Sequence, residues 1–236
     1  AGHPFLAIPA AMAAGAAAGY ITAFLQTKMR IPSILAGIIT NTGLYTVNLA
    51  VMGFSSNVSL LKADTVFTAL KPLLGTYYRL VPAAVLALLA AAVLVLFLRT
   101  RLGLSIRATG DNPDMVRASS INTAFTVTVG LCISNALTAL SGAILAQYQK
   151  TADINLGTGM VIIGLASLII GETLTRKGSV GLKAFGAVLG SILYRFIIAL
   201  ALRLDLPSEC LKLISAVIVA LAIGLPALRA EKKGAV

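Results

Sequence analysis

Residues 80–98 have the sequence LVPAAVLALLAAAVLVLFL, a run without a single charged or amide side chain. An α-helix needs about 20 predominantly apolar residues to cross the hydrocarbon core of a bilayer, and this run is about that long. The whole chain agrees, since 58% of its 236 residues are hydrophobic and 11% are charged. Soluble domains contain about 45–50% apolar and about 25% charged residues. The sequence therefore predicts an all-α, polytopic transmembrane helical bundle.

Apolar segments recur along the chain, and we predict that they form a single transmembrane domain over residues 1–236. The second segment contains the polar run Thr40-Asn41-Thr42-Gly43, and the fifth is too short to span a bilayer. We therefore expect discontinuous or re-entrant helices at these two places. The seven segments lie at residues 5–25, 31–53, 80–98, 123–146, 160–170, 184–202 and 211–228.

The chain carries 19 lysine and arginine residues against 8 acidic ones, a formal net charge of +11. Basic residues of helical membrane proteins collect in cytoplasmic loops, which accounts for the excess without nucleic-acid binding. With segments alternating across the membrane, basic residues are about twice as frequent on the side that holds loop 99–122 and the C-terminus. We expect that side to be cytoplasmic and Ala1 to lie outside, with at least one further helix upstream.

Groups that drive coupled transport or catalysis are scarce. His3 is terminal, Glu172 is the one carboxylate outside the predicted loops, and the two cysteines show no metal-binding spacing. Carriers driven by protons or sodium need acidic or histidine relays at membrane depth, and no GxxxxGK[ST] nucleotide-binding motif is present. We expect no catalytic residue, metal or cofactor in this chain. ATP and Mg are expected on a separate ATPase chain.

The longest polar segment, residues 99–122, includes TGDNPDMVRASSIN at 109–122, which predicts a short helix. Asp111 or Asn112 is a suitable N-cap, and Pro113 is preorganised for the first turn. A carboxylate in that turn complements the helix dipole, and Asp114 supplies it. The helix exposes apolar side chains between arginines, which favours a docking surface; an amphipathic turn on the membrane surface is the alternative. The residues concerned are Met115, Val116 and Ala118, flanked by Arg107 and Arg117.

Two groups of polar residues lie within apolar segments. Asn41, Tyr45 and Asn48 follow an i, i+4, i+7 spacing, which places them on one helix face. Buried amides need partners, so such faces contact another helix or a water-filled path. We predict a translocation pathway here, with interhelical hydrogen bonding as the alternative. The predicted pathway residues are Asn41, Thr42, Tyr45, Asn48, Asn135 and Thr138.

The sequence supports three further predictions, which concern an ion pair, a helix-packing face and an amphipathic segment. Arg195 lies within an apolar segment, where a lone charge costs about 2.5–3.5 kcal/mol, and we predict an intramembrane ion pair with Glu172. Snorkelling and substrate recognition are the alternatives. Gly15 and Gly19 predict a close helix-packing face. Residues 54–79 are amphipathic and suit an interfacial helix or an external lid on which a binding protein rests, or else a membrane-surface loop.

Two stretches carry a resemblance to a known family. SIRATGDNPDMVRASSIN at 105–122 resembles the coupling-helix region of permeases in the ribose and branched-chain amino acid class of ABC importers, with Ser120 where glycine is usual. GLASLIIGETLTRKGSVGLKAFGAVLGSILYRFIIAL at 164–200 resembles the glycine-rich re-entrant region of that class. The resemblance covers roughly residues 31–228, and within the class it is strongest to permeases of tryptophan/tyrosine-type importers that work with a lipoprotein.

The resemblance implies an importer permease in the bacterial inner membrane that moves a small polar solute by alternating access. It implies a second permease copy, cytoplasmic ATPase subunits contacted by residues Asp111 to Arg117, and an external substrate-binding lipoprotein. The implied solute is an amino acid, aromatic first, with sugars and nucleosides as alternatives. An ATPase-independent secondary carrier, an enzyme acting on lipid and a structural scaffold are the other classes that we consider.

Overall fold

The computed structural model describes residues 4–61, 63–157, 160–175 and 179–203. These residues are mostly helical, which confirms the predicted all-α fold. The predicted segment at 211–228 lies outside the described residues. The helices are α1 (Pro4–Thr27), α2 (Ser33–Val51), α3 (Val66–Leu74), α4 (Leu80–Leu98), α5 (Arg101–Asp111), α6 (Pro113–Ala118), α7 (Thr123–Gln149), α8 (Met160–Leu174) and α9 (Val180–Arg203), with 3₁₀ turns at Gly75–Tyr77 and Ile154–Gly157. Strands β1 (Asn57–Ser59) and β2 (Thr151–Asp153) pair antiparallel.

Five helices in the described part of the chain are long and apolar enough to cross a membrane, namely α1, α2, α4, α7 and α9. α4 has the highest mean hydropathy of the five, 2.9. The chain forms two compact units, residues 1–154 (unit 1) and residues 155–236 (unit 2).

The pairing of α1 with α7 organises unit 1, and glycine makes it possible. A Cβ on Gly15 would lie 2.5 Å from the Asn135 carbonyl oxygen, and one on Gly19 would lie 2.5 Å from the Leu131 carbonyl oxygen. These two helices therefore approach backbone to backbone, and the predicted packing face of α1 is confirmed. Close approach through small residues is the usual way in which membrane helices associate.

α2 is one continuous helix over Ser33–Val51, so the predicted interruption at residues 40–43 is wrong. The hydroxyls of Thr40 and Thr42 donate to the carbonyls of Ala36 and Ile38, at 2.9 Å in both cases. Each threonine thereby satisfies its own polar group within the helix. A polar run of this kind does not require the backbone to unwind.

The polar segment 99–122 contains more helix than its sequence suggested, since α5 precedes α6. Thr100 caps α5, because its hydroxyl accepts a hydrogen bond from the Gly103 amide at 3.2 Å. The buried hydroxyls of Thr109 and Thr126 lie 2.9 Å apart and join α5 to α7. α5 is thus packed against the first turns of α7.

Residues 54–79 fold onto the opposite end of α7, where β1 pairs with β2 and α3 follows. Gln147, near the end of α7, accepts from the Val66 amide at 2.9 Å and donates to the Pro4 carbonyl at 3.4 Å. The ring of Phe67 meets that of Tyr148 edge-on, with centroids 5.8 Å apart. The segment therefore holds a short helix anchored to the end of α7, and Gln147 joins that end of α7 to the start of α1.

In unit 2, α8 and α9 pack antiparallel through glycines. A Cβ on Gly190 would meet the backbone of Ser167 and Gly171, and one on Gly186 would meet Thr175. α8 has 15 residues and is therefore about 22 Å long. That is shorter than the hydrocarbon core of a typical bilayer, about 30 Å, as expected for the short fifth segment.

Candidate functional site

A cavity of about 460 Å³ lies among α1, α2 and α7 in unit 1. It brings together Asn41 of α2 and Asn135 of α7, which were predicted to belong to one pathway although they are far apart in sequence. Its volume is within the range of small-molecule sites, about 300–1,000 Å³. The lining residues are Thr22, Gln26, Ser33, Ile34, Gly37, Thr40, Asn41, Leu44, Leu131 and Asn135.

Hydrogen bonds hold part of the cavity wall in place. The hydroxyl of Thr22 donates to that of Thr40 at 3.0 Å, and both side chains are buried. The Asn135 amide nitrogen donates to the Leu131 carbonyl at 2.9 Å, within its own helix. Among the described residues, the Asn135 side-chain oxygen and the Asn41 amide have no protein partner. Both are available to a solute or to water.

The electrostatic character of the cavity is neutral. Its polar groups are hydroxyls and amides, and its remaining lining is aliphatic or glycine. No lysine, arginine, aspartate or glutamate is among the lining residues. Such a lining can bind a solute by hydrogen bonds and by apolar contact, but it offers no fixed charge to a strongly ionic one.

The predicted face of α2 is rotated from the one that lines the cavity. The middle of α2 lines the cavity with Gly37, Thr40, Asn41 and Leu44. Tyr45 and Asn48 lie outside this lining. Thr42 and Thr138 also lie outside the lining and donate to their own helix carbonyls. The position of this lining depends on which side of α2 faces α1 and α7.

Four polar lining residues are not among the predicted pathway residues. Thr40 lies in the polar run that the sequence marked, whereas Thr22, Gln26 and Ser33 were not predicted. Thr22 and Gln26 are spaced i, i+4, which places them on one face of the otherwise apolar α1. That spacing was the available signal. Ser33 lies at the first turn of α2, where a polar residue is ordinary, so nothing marked it out.

The second candidate site is α6, whose cap is formed by Asn112. The Asn112 side-chain oxygen accepts from the amides of Asp114 and Met115 at 3.1 and 3.0 Å. Pro113 occupies the first turn, as predicted, and Asp111 is the last residue of α5. Asn112 is therefore the N-cap of the two candidates.

The surface of α6 differs from the prediction at one residue. Val116 is 1% exposed, so it is not one of the exposed apolar side chains, whereas Met115 is 56% exposed. The reason is that α6 turns Val116 inward, where its carbonyl also accepts from the Ile121 amide. The face that remains accessible presents Met115 together with Arg117, whose guanidinium contacts Asp114 at 3.4 Å and Thr123 at 3.2 Å.

Residues 1–223 match the family model of the permease component of branched-chain amino acid transport systems. The tyrosine transport system permease protein of Clostridioides difficile (strain R20291) is 36% identical over 216 residues, which are 92% of this chain and 71% of that protein. The chain belongs to this permease family. The permease is therefore the multi-pass membrane component of an ABC-type importer and is not itself an enzyme.

Two other relatives of the permease come from Escherichia coli (strain K12). A ribose import permease protein is 27% identical over 228 residues, 94% of this chain and 68% of that protein. An inner membrane ABC transporter permease protein is 28% identical over 200 residues, 80% of this chain and 55% of that protein. No solved structure matches the permease significantly.

Glu172 and Arg195 do not form the predicted ion pair in the structure. Both side chains are exposed, and the one ion pair among the described residues is that of Asp114 with Arg117. Because α8 and α9 are antiparallel, with Gly171 beside Gly186, Arg195 lies about nine residues farther along α9 than the level of Glu172. That separation is about 13 Å along the helix, beyond the reach of a direct contact.

Proposed function

We propose that the permease moves a small solute without net charge through the cavity among α1, α2 and α7. We further propose that this solute is an amino acid, with aromatic amino acids as the first candidates. The observation that carries the proposal is the lining, which combines neutral hydroxyls and amides with aliphatic side chains. An amino acid zwitterion has no net charge and offers several hydrogen-bonding groups, and an aromatic side chain suits the apolar part. The tyrosine transport relative supports this choice of solute.

Sugars and nucleosides are the second candidate class. A lining of hydroxyls and amides also suits a polyhydroxylated solute, and the ribose import relative favours it. The two classes differ in how much they need an apolar surface, which Ile34, Leu44 and Leu131 supply. Competition between solutes in a transport assay separates them.

The test is uptake of labelled tyrosine or ribose into proteoliposomes that contain the permease with its ATPase and binding protein. We expect Asn135→Ala to lower uptake, because an uncharged hydrogen bond contributes about 0.5–1.5 kcal/mol and thus up to about tenfold. Thr138→Ala on the same helix is the matched control, since Thr138 lies outside the lining. Equal losses in both variants would contradict the pathway.

We also propose that α6 contacts a cytoplasmic ATPase subunit, in a bacterial inner-membrane complex with a second permease copy and an external lipoprotein. Exposed Met115 beside Arg117 and Asp114 supports a docking face. In a background with Cys132 and Cys210 replaced by serine, Met115→Cys is expected to cross-link to the ATPase. Val116→Cys, at a buried position on the same turn, is expected not to do so. An active complex without any Met115→Cys adduct would exclude this docking.

Transport that continues without the ATPase would instead indicate a secondary carrier. The same proteoliposomes, prepared without the ATPase subunit, supply this test. We expect no uptake above that of empty liposomes, because the lining of the cavity offers no carboxylate or histidine to couple an ion gradient.

A further inference from the structure

Two cations and two phenol rings form a cluster at the end of unit 1 that carries α3. The Arg79 guanidinium carbon lies 5.3 Å from the ring centroid of Tyr78 and 5.7 Å from that of Tyr148. The Lys71 ammonium lies 5.8 Å from the ring centroid of Tyr78. Both cations thus meet the same ring, and contacts of this length are favourable cation–π interactions.

The cluster lies at the boundary of two predicted spans. Arg79 immediately precedes Leu80, the first residue of α4, which is the most apolar helix. Tyr148 is the second-last residue of α7. Tyrosine and arginine at the ends of apolar helices lie at the level of the lipid headgroups. The cluster therefore belongs to the membrane–water interface.

The positive charge of the cluster is not neutralised within the described part of the protein. Lys71 and Arg79 are exposed, and neither has a carboxylate within ion-pair distance among the described residues. Both cations lie within 5.8 Å of the centroid of the Tyr78 ring, so two like charges contact one ring at the edge of a low-dielectric region. An anion bound beside this ring would compensate the positive charge and accept charge-assisted hydrogen bonds from these side chains.

We infer that Lys71, Tyr78, Arg79 and Tyr148 form a binding site for the headgroup of an anionic phospholipid. The lipid phosphate would accept hydrogen bonds from Lys71 and Arg79, while the tyrosine rings hold the two cations in position. The placement next to Leu80 favours a lipid over a soluble anion, because the acyl chains of a bound lipid would lie along α4. This site is separate from the cavity and does not depend on the solute that the permease carries.

The experiment compares lipid retention by the full-length permease in nanodiscs of phosphatidylcholine and phosphatidylglycerol in equal parts. Native mass spectrometry after mild detergent extraction counts the phosphatidylglycerol that stays bound. We expect Arg79→Gln and Lys71→Gln each to weaken retention by roughly five-fold, the contribution of one basic residue near an anionic surface. Phosphatidylcholine retention should not change.

Arg99→Gln is the matched control, because Arg99 follows the other end of α4 and makes the same change in net charge. An equal loss in Arg99→Gln would mean general electrostatic attraction and would overturn the site. Displacement of the lipid by inorganic phosphate at equal concentration would overturn the assignment to a lipid. Unchanged lipid retention with loss of stimulation by the binding protein in Arg79→Gln would identify a protein-docking surface and would likewise overturn it.

Discussion

The hydroxyl of Thr22 on α1 lies 3.0 Å from that of Thr40 on α2, in the wall of the cavity. Each hydroxyl also has a carbonyl of its own helix at hydrogen-bond distance, Ala18 at 3.0 Å and Ala36 at 2.9 Å. Both groups therefore stay satisfied when the two helices separate. The contact can open and close without leaving a buried polar atom unpaired, which is a requirement for a moving wall in the pathway that we propose.

The first prediction concerns this contact. Replacing Thr22 or Thr40 by valine should destabilise the α1–α2 pairing, and the double-mutant coupling free energy should be about 0.6 kcal/mol, typical of hydrogen bonds between membrane helices. Thr42→Val is the matched control, because the Thr42 hydroxyl donates only to its own helix. The double-mutant cycle is measured from unfolding free energies in detergent. A coupling free energy of zero would show that the contact between Thr22 and Thr40 does not stabilise the protein.

Ser120 has a φ of 60°, in the left-handed region where a Cβ is unfavourable. Ser120→Gly should therefore raise the unfolding free energy by up to about 1 kcal/mol, after the entropic cost of glycine is subtracted. This agrees with glycine being usual at this position in the permeases that the segment resembles. Thermal unfolding measures the effect.

Ser119 supplies the control for that prediction. Its φ is −85°, and its hydroxyl donates to the Met115 carbonyl at 3.1 Å. Ser119→Gly should lower the unfolding temperature, since it removes a hydrogen bond and relieves no strain. A higher unfolding temperature for both glycine variants would contradict the explanation from backbone conformation.

Because α1 and α7 approach closely, we expect one added methyl group between them to lower the stability of the protein strongly. Gly19→Ala would place a Cβ 2.5 Å from the Leu131 carbonyl oxygen and 2.9 Å from the Cys132 Cα. We expect a loss of about 1–3 kcal/mol in unfolding free energy, because the helices must move apart. Gly142→Ala on α7 has open space around it and should be neutral or stabilising. Similar losses in both variants would contradict the packing argument.

We expect removal of the N-cap of α6 to destabilise this helix rather than the whole protein. Asn112→Ala removes the oxygen that accepts hydrogen bonds from two backbone amides, and it should lower the stability of α6 by about 1 kcal/mol. Asn112→Asp keeps a capping oxygen. Hydrogen exchange at Met115 should become faster in the alanine variant and stay near its original rate in the aspartate variant. Unchanged exchange in Asn112→Ala would show that tertiary contacts alone hold α6.

Much of the local structure of this protein could be predicted from short stretches of its sequence. The span at residues 80–98, the cap formed by Asn112 and Pro113, and the packing face of Gly15 and Gly19 all depend on neighbouring residues in the chain. Hydropathy, capping chemistry and side-chain size act over one or two helical turns, so a sequence displays them directly. The family resemblance likewise followed from contiguous motifs, and it agrees with the permease relatives.

Only the tertiary structure decided which polar groups meet. Asn41 and Asn135 reach one cavity because α2 turns a particular side toward α1 and α7, and that rotation excludes Tyr45 and Asn48. The same kind of choice buries Val116 and separates Glu172 from Arg195. The rotation of a helix about its axis depends on the fit of many side chains that are distant in sequence, and a spacing of three or four residues identifies a face without saying what covers it.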